Sequence, residues 1–195
     1  MKAAPDSVFW ADLPFRQNRA YVHSGSICNF WQELEPETER FELVLRQQMI
    51  HRLTFTPLEQ GVVPADCGHV VLGKGERRRI WQIGEDSAHP VAERTPYDEH
   101  AIPRSVDEQD KTCKVEPKVG YTFFDRVVAG NKALINGILN PGVKLIAAKF
   151  QTPGFPADDV DLTLKLKSHV TTRIFKSSIL VDGQPFGEVI YYGEQ

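Results

Sequence analysis

The stretch that decides the fold class is Val160-Asp-Leu-Thr-Leu-Lys-Leu-Lys167, in which apolar and polar residues alternate strictly. Alternation of this kind predicts a strand with one face on a core and the other in water. Another strand is predicted over residues 173–181, and Asp182-Gly183 is a strong signal for a two-residue hairpin turn. Residues 186–192 then return as the last strand. The chain is therefore predicted to end in an antiparallel sheet.

Two helices are predicted before these strands. Residues 24–35 place four apolar side chains at helical spacing, namely Ile27, Phe30, Trp31 and Leu34. Residues 120–139 form the second predicted helix, which Gly130 and Gly137 weaken and which Asn140-Pro141-Gly142 ends. The combination of helices and antiparallel strands indicates an α+β protein.

The segment between the two helices is predicted to contain strands and one long loop. Strands are expected over residues 49–58 and 69–83, rich in aromatic, apolar and β-branched residues. A turn at residues 84–87 and a partner strand over 89–95 are expected to follow. Residues 96–118 are polar with three prolines, which predicts a flexible surface loop.

Length and composition bound the class of protein. The 195 residues suit one α+β domain over residues 21–195, preceded by an arm over residues 1–20, without an internal repeat. A formal net charge of -3 argues against a nucleic-acid partner. Three cysteines without a C-x-x-C arrangement indicate neither disulfides nor zinc, and hence a reducing compartment. Since no apolar run could span a bilayer, no membrane partner is predicted, and the expected location is the cytoplasm.

Local motifs for metal, nucleotide or covalent chemistry are absent from the sequence, so no cofactor and no metal is predicted. Two features remain as candidates. Arg78 and Arg79 lie in an otherwise apolar strand, and a guanidinium can bind a carboxylate with two hydrogen bonds. Glu188 lies in the last strand among apolar residues, and a carboxyl group so placed can act as a general acid. The pair suits a small anionic substrate that undergoes proton-assisted elimination, while exposed positions on half-buried strands are the alternative interpretation.

The order of elements over roughly residues 26–192 resembles the chorismate lyase family. The segments that carry the resemblance are Thr38-Glu-Arg-Phe-Glu42, Arg78-Arg-Ile-Trp-Gln-Ile83, Pro90-Val-Ala-Glu-Arg-Thr95, Pro117-Lys-Val-Gly-Tyr-Thr-Phe-Phe124, and the closing hairpin from Arg173 to Glu188. The resemblance implies a single antiparallel β-sheet of about six strands with helices packed on one face. It also implies a bacterial, cofactor-free lyase that eliminates pyruvate from chorismate, or from a related small carboxylate, and leaves a hydroxybenzoate.

Site residues follow from that resemblance. Arg78 would bind the carboxylate, with Arg79 next in register, and Glu188 would be the acid. The backbone near Gly120 and Tyr121 would hold the other end of the ligand. The expected partner is a small aromatic or carboxylate ligand bound to a monomer or homodimer. A non-catalytic ligand-binding module of the same fold is an alternative.

Residues 120–192 also resemble the tail of hotdog acyl-thioester enzymes. The matching segments are Phe150-Gln-Thr-Pro153, Pro156-Ala-Asp158 and Val181-Asp-Gly183. In this alternative, an acyl-ACP or acyl-CoA dehydratase or thioesterase, Asp125 stands where dehydratases keep a helix glutamate. Lys111 occupies the position of the dehydratase histidine. The hotdog alternative leaves the first hundred residues without a role, which favours the lyase.

Overall fold

A computed structural model describes residues 7–59, 62, 67–139, 143–171 and 173–194. These residues fall into two units. The first contains the described residues up to Tyr97 together with Pro153–Phe155, and the second contains Asp98–Thr152 and the described residues from Pro156 onward. Each unit has one α-helix and a set of antiparallel strands.

The first unit has two short strands, a helix, and then four longer strands and one short one. Its elements are β1 (Phe9–Ala11), β2 (Phe15–Arg16), α1 (Ser24–Leu34), β3 (Phe41–Leu45), β4 (His51–Leu58), β5 (Gly68–Leu72), β6 (Arg79–Pro90) and β7 (Arg94–Thr95). Five strands pair antiparallel in the order β1-β4-β6-β5-β3, and β2 pairs with β7 in parallel.

Aromatic side chains hold α1 against these strands. Trp31 of α1 is fully buried, and its ring centroid lies 5.2 Å from that of Phe55 in β4 and 4.9 Å from that of Trp81 in β6. Phe9 of β1 stacks on Phe55 at 5.2 Å. Aromatic rings bury large apolar areas, so this cluster supplies much of the core of the first unit. The helix predicted at residues 24–35 is confirmed.

The second unit is built on the same succession of elements. It contains β8 (Arg104–Asp107), β9 (Thr112–Val115), α2 (Phe123–Leu139), β10 (Lys144–Thr152), β11 (Leu162–Val170), β12 (Ile174–Val181) and β13 (Gln184–Glu194). The strands pair antiparallel in the order β10-β13-β12-β11-β9-β8. Helix α2 packs on β8, β9, β11 and β12.

The strands predicted at the end of the chain are confirmed. In the first part of β11 alternate residues are buried, namely Leu162, Leu164 and Leu166. Asp182 and Gly183 join β12 to β13 with φ of 50° and 75°. Both values lie in the left-handed region that a tight hairpin turn requires. Helix α2 confirms the helix predicted at residues 120–139, while the stop predicted at Asn140-Pro141-Gly142 lies outside the described residues.

Several predictions differ from the structure. The strand predicted over residues 69–83 is divided between β5 and β6, and residues 89–95, predicted as one strand, are divided between the end of β6 and β7. One sheet of about six strands is wrong, because the first unit contributes five strands to the antiparallel ladders and the second contributes six. The turn at residues 84–87 is wrong, because β6 continues to Pro90 and pairs with β4 as far as Asp86 and again, after a register shift, at Pro90. The predicted loop at residues 96–118 contains the β8–β9 hairpin. The division into an arm, residues 1–20, and a domain, residues 21–195, stays a prediction.

Neither helix in the described part of the chain is long and apolar enough to cross a membrane.

The two units have nearly the same order of helices and strands, although their amino-acid sequences show no repeat. Each places a helix before four strands, although the last two of these strands exchange places between the units. In the second unit β11, β12 and β13 are successive neighbours, whereas in the first β6 lies between β4 and β5.

Candidate functional site

A cleft of about 500 Å³ lies at the start of α2 in the second unit. Its walls are the segment Pro117–Thr122 together with Asp158 and Asp159. The segment turns tightly above the helix, because the Tyr121 N–H donates to the Lys118 carbonyl at 3.1 Å and Gly120 has a φ of 86°. A residue with a side chain adopts such a φ only with strain, so glycine suits this position.

Asp125 and Thr122 cap the first turn of α2 reciprocally. The Thr122 N–H donates to Asp125 Oδ2 at 3.1 Å, and the Asp125 N–H donates to Thr122 Oγ1 at 3.3 Å. The pair has the spacing of a capping box, in which each side chain satisfies the other residue's backbone donor. Asp125 is 4% exposed, so its carboxylate is fixed beside the cleft and screened from bulk water.

A second carboxylate caps the same helix from another segment. Asp158 Oδ1 accepts from the Phe123 N–H at 2.6 Å. Two of the backbone donors at the start of α2 therefore already bind carboxylate oxygens. The positive end of the helix dipole favours negative charge at this place, which is consistent with both contacts.

Arg126 is the residue that sequence reasoning missed. Its side chain is fully buried, and its Nη atoms donate to three carbonyls, those of Asp158 at 2.7 Å, Val160 at 3.0 Å and Val115 at 3.3 Å. Burial lowers the pKa of the Arg126 guanidinium, while the carboxylates of Asp158, Asp159 and Asp161 act in the opposite direction. Arg126 thus ties the segment that bears Asp158 to the helix that bears Asp125.

One local feature of the sequence marks Arg126. The residue lies in a helical stretch whose neighbours Phe124, Val127 and Val128 are apolar and buried. A charged residue in such surroundings is nearly always paired or hydrogen-bonded when buried.

Gly120 and Tyr121, predicted to bind substrate, both line the cleft beside Asp125. Tyr121 Oη also donates to the Asp98 carbonyl at 2.9 Å, which holds the phenol ring in place. The structure thus brings the predicted substrate-binding residues together with the carboxylate of the hotdog alternative. Their roles stay predictions.

Arg78 and Arg79 lie in the first unit. Arg79 begins β6 and forms an ion pair with Glu35 at 2.9 Å, and its guanidinium stands 5.1 Å from the centre of the Trp81 ring. It lines a separate cleft of about 540 Å³ whose other charged residues are mostly glutamates. Arg78 is exposed, precedes β6 and is not among the residues that line this cleft. A carboxylate ligand would have to compete with Glu35 for Arg79.

Glu188 lies in the middle of β13 in the second unit. Its carboxylate pairs with Lys176 Nζ at 2.8 Å, and both side chains are about two-fifths exposed. An exposed ion pair of this kind contributes little to stability, about 0–1 kcal/mol. The role of Glu188 as an acid stays a prediction.

Among the described residues, no group of three or more His, Cys, Asp or Glu side chains could hold a metal ion.

No protein-family model matches the chain, and no curated protein matches it. Several solved structures, in contrast, have a similar fold. An acyl-ACP thioesterase from Bacteroides thetaiotaomicron is 8% identical, with a TM-score of 0.50 over 96% of this chain and 97% of that chain. A protein from Novosphingobium aromaticivorans assigned as a thioesterase is 8% identical, with a TM-score of 0.52 over 100% and 98%.

A dehydratase gives a similar result. GphF dehydratase 1 is 8% identical, with a TM-score of 0.51 over 100% of this chain and 98% of that chain. At such low identity the similarity concerns the fold alone. The chain shares its mixed α+β architecture, with its antiparallel strands and two described helices, with these three solved proteins. The comparisons therefore favour the hotdog alternative over the chorismate lyase resemblance.

Proposed function

We propose that this protein acts on acyl thioesters and hydrolyses them, with Asp125 as the carboxylate that activates water. The observation that carries the proposal is the fold, which is shared over 96–100% of the chain with a thioesterase, a protein assigned as a thioesterase and a dehydratase. The position of Asp125 supports it, because a buried carboxylate stands next to a cleft lined by Gly120 and Tyr121.

The chemistry required is modest. A water molecule attacks the thioester carbonyl, and Asp125 accepts a proton from that water as the C–O bond forms. The C–S bond then breaks, and the sulfur takes the proton back from Asp125 and leaves as the thiol. The hydrogen bond from the Thr122 backbone N–H fixes the orientation of the Asp125 carboxylate before substrate binds, and such positioning lowers the barrier further. Dehydration would need a second acid–base group. Lys111, which occupies the position of the dehydratase histidine, lies in the turn between β8 and β9, and this favours hydrolysis.

The first experiment offers acyl-CoA and acyl-carrier-protein thioesters of several chain lengths and measures thiol release. The expected result is hydrolysis by the wild-type protein. Ligand binding is followed in parallel by thermal shift, since a ligand at 100 times its Kd stabilises the folded state by about 2.7 kcal/mol. A shift with chorismate or 4-hydroxybenzoate, together with no shift and no turnover with acyl thioesters, would reject the proposal and favour the lyase.

The second experiment separates the charge of Asp125 from its cap. Asp125→Asn keeps an oxygen that can accept from the Thr122 N–H, so we expect kcat/KM to fall about 100-fold or more while stability changes by less than about 1 kcal/mol. The matched control is Thr122→Ala, which removes the other half of the cap, costs about 1 kcal/mol and retains turnover. Undiminished activity in Asp125→Asn would show that another group is the base.

A further inference from the structure

A row of exposed apolar side chains crosses the outer face of the second unit. Ile146 lies opposite Tyr192, Tyr192 opposite Ile174, and Ile174 opposite Val170, so the row runs over β10, β13, β12 and β11. Directly opposed residues of neighbouring strands share a face, and Tyr191 points into the core, so Tyr192 points outward. We name Ile146, Tyr192, Ile174 and Val170 the outer row.

The outer row is open to solvent. Val170 is 60% exposed, Tyr192 47% and Ile174 38%, and Ile146 is half-buried. Single exposed apolar residues are ordinary on a protein surface, but four in register across four strands form a continuous strip. At about 4.8 Å between strands, the strip is about 14 Å long.

Cations lie around this strip, although the chain as a whole carries -3, and carboxylates neutralise only some of them. The hairpin Leu162–Val181 contains no Asp or Glu, and its four cations are Lys165, Lys167, Arg173 and Lys176. On one side of the strip lies Lys176, which pairs with Glu188. On the other side lie exposed Arg173 and the pair Lys144–Glu194, whose atoms are 3.1 Å apart.

We propose that the outer row is the docking surface for an acidic amphipathic helix of a partner protein. A strip of about 14 Å matches two to three turns of an α-helix at 5.4 Å per turn. The apolar face of such a helix would cover the outer row. Its flanking carboxylates would meet Arg173 on one side and would compete with Glu188 for Lys176 on the other. The tyrosine and the arginine are of the types enriched at protein interfaces.

The cations of the Leu162–Val181 hairpin favour an acidic helix over a second copy of the chain as the occupant of this surface. In a symmetric face-to-face dimer each cationic hairpin would oppose its own copy, and like charges placed opposite each other are unfavourable. The proposal does not depend on acyl-thioester hydrolysis, because the outer row belongs to the outer face of the sheet and α2 packs on the opposite face.

The test uses the full chain and three synthetic helical peptides. One carries a leucine stripe flanked by glutamates, one carries the same stripe flanked by lysines, and one is a scrambled acidic sequence without a stripe. Fluorescence anisotropy with labelled peptide gives each Kd. We expect the acidic amphipathic peptide to bind at least about tenfold more tightly than either control, and its affinity to fall as salt rises from about 50 to about 500 mM.

Surface variants locate the binding. Ile174→Glu, Tyr192→Ser and the double charge reversal Lys165→Glu with Arg173→Glu should each weaken binding at least about tenfold. The matched controls in the first unit are Trp10→Ser, which removes a 56% exposed apolar side chain, and Lys74→Glu, which reverses an exposed charge. Both should bind like the wild-type protein. Circular dichroism establishes that each variant is folded.

Several results would overturn the proposal. They are no peptide binding at about 1 mM, binding that survives all three surface variants, and equal affinity for the scrambled peptide. Vesicles of phosphatidylserine in phosphatidylcholine and size-exclusion chromatography test the other occupants. If vesicle binding or self-association is lost in the same variants while the acidic peptide does not bind, the surface serves lipid or a second copy instead.

Discussion

Replacing Arg126 by methionine should destabilise the second unit more than any other single change at the candidate site. The substitution removes the donor from the carbonyls of Asp158, Val160 and Val115 and fills similar volume with an apolar side chain. The two shorter contacts, 2.7 and 3.0 Å, are charge-assisted and are worth about 1.5–3 kcal/mol each, while the contact at 3.3 Å is weaker.

The net cost is smaller than the sum of these contacts, because methionine has no charge to desolvate. We therefore expect Arg126→Met to lower the free energy of unfolding by about 3 kcal/mol. For a chain of this length that corresponds to a melting temperature lower by about 6–12 °C. Arg126→Lys keeps the charge but not the planar fork of donors, so its loss should be intermediate.

The assay must report on the second unit. All three tryptophans, Trp10, Trp31 and Trp81, lie in the first unit, so tryptophan fluorescence reports directly on that unit. Amide hydrogen exchange of α2 and β11, followed by mass spectrometry in increasing urea, measures the opening of the second unit instead. A loss below about 1 kcal/mol in Arg126→Met, or full stability in Arg126→Lys, would refute the assignment of Arg126 as the tie between the two segments.

Two further predictions test the packing of the second unit. An added Cβ at Gly130 would stand 2.4 Å from Val115 Cγ2 and 2.9 Å from Leu164 Cδ1, whereas at Gly137 it would stand 3.2 Å from Val106 Cγ1. Gly130→Ala should therefore lose about 1–2 kcal/mol in urea denaturation, and Gly137→Ala should be neutral or gain up to about 1 kcal/mol; the reverse order would contradict the geometry. Burial raises the pKa of the Cys113 thiol from 9.0 to about 11, so iodoacetamide at pH 8 should leave it unmodified in the folded protein. The contribution of the neutral Cys113 thiol to the free energy of unfolding should be complete below pH 9 and should be lost as the pH rises through 11. Rapid labelling at pH 8 would show that Cys113 is accessible.

The elements that the sequence predicts well are those whose signals are local. The Asp182-Gly183 turn needs only two residues that tolerate left-handed φ, and the alternation of β11 needs only its own eight or nine residues. The signal for helix α2 is also local, because its apolar residues recur at helical spacing. Each of these elements has the same form in two unrelated folds, so predicting them correctly did not identify the fold.

Strand β6 shows why the remainder could not be predicted. Residues 84–87 carry the residue types of a turn, but β4 offers them partners about thirty residues upstream. Thr54 lies opposite Gly84, Leu53 opposite Glu85, and the strand continues. Glu85 also accepts hydrogen bonds from the Ile50 and His51 N–H groups at 2.5 and 2.9 Å, and these bonds hold the first residue of β4 against β6. Long-range hydrogen bonds thus overrode a local turn signal.

The candidate site divides in the same way. Gly120, Tyr121 and Asp125 are near one another in sequence, and the structure keeps them together at one helix start. Arg126 depends on carbonyls of residues 115, 158 and 160, which only the folded chain brings together. Its side chain therefore looks like an ordinary helix cation in the sequence and becomes the centre of a buried network in the structure.

Long-range structure also explains why the sequence favours the lyase resemblance. In the sequence, the hotdog alternative leaves the first hundred residues without a role. In the structure, those residues supply a helix followed by strands of their own, in nearly the succession of elements that the second unit has. The repetition lies in the order of elements, while the side chains differ. Aromatic rings pack α1, whereas Gly130 allows α2 to approach β9 and β11 closely. Repeats of architecture without repeats of residues are invisible to a search for sequence periodicity.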